Sequence, residues 1–340
     1  MSVIQNMALH YVGNKQADEG VICSKSLLVT DDEMRNILHE YFLQVFLAEE
    51  QFHFVHETDL KYNEVYSIVG DIFDDPGTLY DNSVKLAKHL YEKSDHPKIK
   101  AGEFYVVHFT DCSIGGDHCD AIGLFKSENK DTFLRVWTSE EGLDITPEQG
   151  VNTKKLDKGC LIYDLDREDG FLVTIVDNTN RSDAHFWIDE FLHVFQRNND
   201  YFHTSTMLSM TKNFVTKELP KQFEDVSKAD QADLLNRSVA FFKEKDTFDM
   251  DEFMNEVMEQ PAVIESFHQF KDDYAQREDI VIADSFEING TAVKKQERGF
   301  KSVIKLDKNF HIYIHGDREL IEQGEDERGK FYKVYYNKEL

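Results

Sequence analysis

The chain has 340 residues, with 38 Lys and Arg against 65 Asp and Glu, for a formal charge of −27. That balance excludes a uniformly basic DNA coat and a polybasic membrane-surface protein, since both need a positive field. An apolar fraction of 41%, with 26 Phe and 14 Tyr, supplies a large core and argues against disorder.

In chain order, Ile4 to Val12 predicts a first strand. Thr30-Asp-Asp-Glu33 has the pattern of a capping box with Thr30 as the cap. Behind it Met34, Ile37, Leu38, Tyr41, Phe42, Val45 and Phe46 recur at helical spacing as one inward face. A second amphipathic helix is predicted from Asn82 to Lys93. Between Gly102 and Asp177 the pattern changes to short β-branched and aromatic runs: 104–109, 121–125, 132–137, 160–163 and 171–176, separated by Gly, Asn and Asp turns.

After Ser182-Asp183, read as a helix cap, Phe186, Trp187, Phe191, Leu192 and Phe195 begin a helical stretch. Further helix starts are predicted near Thr204, at Ser227, at Asp249 and at Pro261. Strands return near Ile280, with alternating runs at 310–315 and 331–336 and a loop from Gly324 to Gly329. The fold class is α+β: an N-terminal, mostly antiparallel sheet with flanking helices, then a helical segment and a small C-terminal β element. Two domains are expected, 1–197 and 198–340, the second divided into a helical part (198–279) and a β-rich part (280–340).

Four cysteines, Cys23, Cys112, Cys119 and Cys160, include no CxxC pair, and the N-terminal segment has no signal-peptide pattern. No apolar run approaches a membrane span. The expectation is a soluble cytoplasmic protein with reduced thiols and no membrane partner. Cys112, His118 and Cys119 are soft ligands that could suit zinc, but their spacing fits a hairpin turning at Gly115-Gly116 better. Asp164 to Gly170 misses the register of a calcium loop and reads as an acidic turn. His311, Tyr313 and His315 share one strand face, where packing is favoured over metal binding. No nucleophile elbow, zinc-protease, P-loop or dinucleotide motif occurs. The expectation is no catalytic residue, no cofactor and no metal.

Charge distribution is more informative. Residues 291–310 carry Lys294, Lys295, Arg298, Lys301, Lys305 and Lys308 against Glu297 and Asp307. A second segment carries Lys85, Lys88, Lys93, Lys98 and Lys100 against Glu92 and Asp95. Screening acts over about 8 Å at physiological salt, so such islands can meet phosphates on an acidic body. A solvated face that contacts nothing is the alternative.

Several segments together resemble bacterial nucleoid-associated proteins of the NdpA type. They are Gln5-Asn-Met-Ala-Leu-His10, Phe125-Lys-Ser-Glu-Asn, Leu134-Arg-Val, Leu143-Asp-Ile and Lys158-Gly-Cys-Leu-Ile. Ala184-His-Phe-Trp187 with Phe191-Leu192, Ile304-Lys-Leu-Asp307 and Gly324-Glu-Asp-Glu complete the set, in order over nearly the whole chain. The resemblance implies a cytoplasmic bacterial protein found with the nucleoid and binding DNA; it transfers no contact residues. Three functions follow as expectations: non-enzymatic DNA binding through the basic segments, an acidic adaptor for a basic chromosome-processing protein, or a metal-dependent nuclease using Asp111 and Asp117 with His108 or His118.

Overall fold

The computed structural model describes residues 2–140, 142–179, 186–300, 303–306, 308–314 and 318–338, and its chain separates into two units, Met1–Arg197 and Asn198–Leu340. The first unit is built on strands β1 (Val3–Val12), β2 (Val21–Cys23), β3 (Gln51–Phe54), β4 (Gly102–Ile114), β5 (Asp117–Ser127), β8 (Lys158–Tyr163), β9 (Leu172–Asp177) and β10 (Val194–Gln196). They form one sheet in the order β10-β3-β9-β8-β5-β4-β1-β2, with every pairing antiparallel.

Successive side chains of the central strands enter two different cores, as the period of two requires. Phe104, Val106, Ile122, Leu124, Cys160 and Ile162 face one core, which helices α2 (Glu64–Asp74) and α3 (Leu79–Lys93) complete. Tyr105, Val107, Phe109, Phe125, Leu161 and Tyr163 face the other, covered by α1 (Asp32–Leu43). The Phe125 ring stacks on Phe42 with centroids 4.2 Å apart. Gly123 and Gly159 make room for it, because a Cβ at either position would strike that ring.

Several local expectations are corrected. The α1 cap is Asp31, not Thr30: its carboxylate accepts from the Met34 amide at 2.8 Å. A carboxylate at the positive end of a helix is a strong acceptor, so the helix starts one residue later. That register turns Leu38, Tyr41 and Phe42 inward and leaves Met34 and Ile37 exposed. The helix ends at Leu43, so Val45 and Phe46 pack from the segment beyond it. The 132–137 strand is not part of the sheet. It belongs to a separate hairpin of β6 (Asp131–Ser139) and β7 (Gly142–Gly150). The run from Phe186 to Leu192 is a π-helical turn, and Phe195 lies exposed in β10 rather than on a helix face. The predicted cap Ser182-Asp183 falls outside the described residues.

The second unit is mainly helical: α4 (Asp200–Asn213), α5 (Leu219–Gln222), α6 (Lys228–Glu244), α7 (Met250–Phe253), α8 (Pro261–Glu278) and α9 (Gly290–Glu297). Ser227 and Asp230 form a reciprocal capping box, Asp249 caps α7, and Pro261 opens α8. The first helix starts at Asp200 under an Asn199 cap, ahead of the predicted start near Thr204. Phe241, Phe242, Phe248, Phe253, Phe267 and Phe286 dominate the core, which also holds the short pair β11 (Thr247–Asp249) and β12 (Ser285–Glu287).

Two hairpins follow, β13 (Val303–Leu306) with β14 (Phe310–Tyr313) and β15 (Ile321–Asp326) with β16 (Gly329–Val334). Ile304, Ile314 and Ile321 share a small core with Ala229 and Ala232 of α6, whose other face serves the phenylalanine core. Two sequence expectations differ here. Residues 290–297 are helical within the stretch read as β-rich, because the Asn289 carboxamide accepts from the Thr291 and Ala292 amides and nucleates a turn. Gly324 lies within β15, and the chain turns at Glu327-Arg328.

Candidate nucleic-acid interface

In the second unit, α9 buries Ala292 and Val293, so helical periodicity turns Lys294, Lys295, Glu297 and Arg298 outward, and all four are exposed. Lys294 and Arg298 are one turn apart on one face. Lys295 Nζ lies 5.8 Å from the centroid of the Tyr201 ring. Two cations from other helices join this end of α9. Lys243 of α6 bonds Glu297 at 2.7 Å, which occupies the carboxylate nearest Arg298 in sequence. Lys212 of α4 brings its Nζ to the space that a side chain at Gly299 would fill.

The β13–β14 register extends the surface. Lys305 stands opposite His311 and Val303 opposite Tyr313, so these four share the outer face while Ile304 and Ile312 turn inward. Lys305, His311 and Tyr313 are exposed, Tyr313 to 61%. Tyr313 also lines a cleft of about 540 Å³ with Lys243, its partner Glu297, Arg298, Phe300 and Asn236. Arg298 and Lys243 are thus joined to Tyr313, and Tyr313 through its strand to His311 and Lys305. Lys308 is exposed in the turn of that hairpin, and Lys301 lies outside the described residues. The result is a surface of cations around an aromatic ring, able to pair with phosphates and to stack on a base or sugar.

The sequence flagged the cations of residues 291–310 but not Lys212, Lys243 or Tyr313's place among them. The turn at Lys308-Asn309 signals only that Tyr313 shares a face with Lys305, since it sets the register of the two strands, and not that Tyr313 meets Arg298. Lys212 and Lys243 are far off in sequence and carried none.

The second basic segment is less coherent. Lys85 and Lys88 are exposed along α3, with Lys85 bonded to Asn82 at 2.8 Å. Lys93 is half-buried at the helix end, and Lys98 and Lys100 are exposed in the following loop. Lys100 bonds Asn129 at 2.7 Å and borders a cleft of about 410 Å³ with Glu19 and Asn14. Glu92, on the same helix, is held by Lys15 at 2.5 Å.

A lysine pair that the charge count passed over lies inside the first unit. Lys126 and Lys158 are direct partners across β5 and β8, and both side chains are fully buried. Facing like charges destabilise a sheet unless compensated. Glu128 compensates both, 3.1 Å from Lys126 and 3.8 Å from Lys158, and Asp177, opposite Lys158 on β9, bonds it at 2.8 Å. Lys126 also donates to the Lys100 carbonyl at 2.7 Å, and Thr179 bonds Lys158. Both ammonium groups lie 5.5 Å from the Phe186 ring. Burial holds Lys126 below its ordinary value despite Glu128. Among the described residues both ammonium groups are enclosed by these partners, which is the arrangement of a structural cluster.

The other tested sites resolve into local structure. Cys112 and Cys119 face each other across β4 and β5, with Gly115 and Gly116 in the positive-φ turn between the strands. Burial pushes their thiols up, to about 12 and about 11. His108 bonds Asp120 at 2.8 Å. The Asp164–Gly170 stretch is a 3-10 turn whose Asp166 binds Arg197 at 2.6 Å, while Arg167 makes a bidentate pair with Asp74. His311 and Tyr313 do share a face, and His315 lies outside the described residues. Among the described residues no group of three or more His, Cys, Asp or Glu is placed to hold a metal, and no helix is long and apolar enough to cross a membrane.

A comparison with curated proteins finds no match. The family model described as nucleoid-associated protein YejK matches residues 8–339, nearly the whole chain and both units. The chain belongs to this nucleoid-associated protein family.

Proposed function

We propose that this protein binds DNA at the nucleoid without enzymatic turnover, through phosphate-dominated contacts made by the second unit, and so takes part in organising the chromosome. The observation that carries the reading is the union of Arg298 and Lys243 with Tyr313 in one cleft, continued along the hairpin by Lys305 and His311. Family membership supports the nucleoid and the cytoplasm as its place of action. Phosphate contacts position a protein without reading sequence, so affinity is largely sequence-independent. If Lys294, Lys295, Arg298, Lys301, Lys305 and Lys308 each neutralise one phosphate, log affinity falls against log salt with a slope of about −5.

Titration of a labelled duplex at several salt concentrations tests this. Salt-insensitive binding, or no loss when Lys294, Lys295, Arg298 and Lys301 become Glu, removes the proposed surface. The acidic-adaptor reading predicts instead a basic protein partner that stays bound after complete nuclease treatment. Cleavage of DNA with magnesium or manganese that disappears in an Asp111/Asp117 double substitution would replace both readings with a nuclease.

A further inference from the structure

The cleft beside Arg298 contains more than phosphate contact requires. Three elements of the second unit line it. Asn236, Val239, Ala240 and Lys243 follow the i, i+3, i+4, i+7 spacing, so they form one stripe of α6. Glu297, Arg298 and Phe300 come from the end of α9 and the residues after it. The cross-strand pair Val303 and Tyr313, with Ile314, comes from the β13–β14 hairpin. Burial divides the lining. Phe300 and Ile314 are buried and Val239 and Val303 half-buried, whereas Lys243, Glu297, Arg298 and Tyr313 are exposed. An apolar floor therefore lies within an aromatic and charged rim.

We infer that this cleft takes one unpaired base of a DNA strand whose phosphates lie on the surrounding cations. The inference rests on the proposed DNA binding by the same surface and names what that surface selects. Phosphate gains nothing from an apolar floor, and the Glu297 carboxylate in the lining repels it. A base has the complementary chemistry. Its faces are apolar and stack on an aromatic ring, which suits the floor and Tyr313. The amino edge of adenine, cytosine or guanine donates to an acceptor such as Glu297. A cleft of about 540 Å³ is within the size of small-ligand sites. The rim then decides what carries the base. Arg298, with Lys294 one turn away on the same helix face and Lys305 on the strand face of Tyr313, offers cations to the adjoining phosphates. A neutral apolar ligand would leave those cations unused. In paired DNA the bases stay stacked, and bringing one to the cleft costs its pairing and stacking, so unpaired positions bind best.

The test measures the affinity of the full chain, by fluorescence anisotropy at one salt concentration, for three duplexes of the same flanking sequence. One is fully paired, one carries a single unpaired adenine, and one carries an abasic nucleotide in the same bulge. The two bulged duplexes have the same phosphates, so they differ only in the base. The adenine bulge is expected to bind about tenfold more tightly than either of the others. Tyr313→Ala removes the ring, and Ala240→Leu puts a larger side chain into the cleft from an exposed helix position. Each brings the ratio of adenine-bulge to paired affinity within about twofold of unity, while Tyr313→Phe keeps the preference. Unchanged far-ultraviolet circular dichroism shows that the fold is intact. Equal affinity for the adenine and abasic bulges overturns the inference, since a bend and not a base is then recognised. So does a preference that survives both Tyr313→Ala and Ala240→Leu, or tighter binding of an RNA duplex with the same bulge. If the paired duplex binds with the expected salt slope and the adenine bulge gains nothing, only the cleft inference falls. If none of the three binds, the DNA-binding reading falls with it.

Discussion

The two units use lysine in opposite ways. In the first, Lys126 and Lys158 face each other inside the sheet, each held by carboxylates and by the Phe186 ring. In the second, Arg298, Lys305 and Lys308 are exposed, Arg298 in one cleft with Tyr313, and Glu297 is taken up by Lys243. A buried cation is fixed by its partners and has nothing left to offer a ligand. An exposed cation beside an aromatic ring is free to meet one. The difference lies in partners and solvent, not in residue type, and it lets a chain of net charge −27 carry a local island of exposed cations.

The largest effect separating the two sites is on stability. Lys158→Met strands Asp177 and part of Glu128 in the interior and costs about 3–5 kcal/mol in denaturant unfolding. Adding Asp177→Leu recovers a large part of that loss, because the second charge is removed as well. A single variant as stable as the wild type would mean that the buried pair is not the strut described here. The same measurement on Arg298→Glu with Lys305→Glu gives a change within about 0.5 kcal/mol, as exposed positions allow.

DNA binding reverses the order. Arg298→Glu with Lys305→Glu lowers duplex affinity about a hundredfold at low salt, near 2.7 kcal/mol, through lost contacts and new repulsion. Tyr313→Ala lowers affinity for single-stranded DNA by about 1–3 kcal/mol and for duplex by less, since stacking needs an exposed base. Equal losses on both substrates would reduce Tyr313 to a spacer. In the first unit, Lys85→Glu with Lys88→Glu changes duplex affinity by less than about threefold, because Asp81 and Glu92 stand one turn from them along α3 and offset their charge.

The smallest expected effect is a pH dependence. Burial pushes the Asp230 carboxyl up, but hydrogen bonds from Ser227 and Arg318 outweigh it and hold the group below its ordinary value of 3.8. A lowered carboxyl stabilises the fold above its unfolded value, and the contribution disappears as pH falls through the folded value. Arg318→Leu therefore costs stability at neutral pH and little under acid conditions below both values. With the pair partly exposed, the difference stays under about 1 kcal/mol, read from denaturation midpoints at several pH values.

Much of this was legible in the sequence, and what was missed has physical reasons. Short β-branched and aromatic runs between turn residues identified β4, β5, β8 and β9, because both sheet faces are buried and nearly every side chain on them is apolar. The Ser227, Asp249 and Pro261 helix starts were readable because capping is local chemistry. Lys126 and Lys158 look in sequence like surface residues at strand ends; only the pairing of β5 with β8 and β9 brings Glu128 and Asp177 to them. Lys294, Lys295 and Arg298 were flagged as a charge run, but the helix that presents them was hidden because Asn289-Gly290 reads equally as a turn. Lys243 and Tyr313, some seventy residues apart in sequence, meet at Arg298 only through tertiary packing.

The most direct test of the central claim is the salt dependence of duplex affinity, measured by fluorescence anisotropy for the wild type and for Arg298→Glu with Lys305→Glu. The account predicts a wild-type slope of about −5 that becomes shallower by about 2 in the variant, one phosphate for each cation removed. A wild-type slope near zero, or a slope unchanged by the two substitutions, would contradict it.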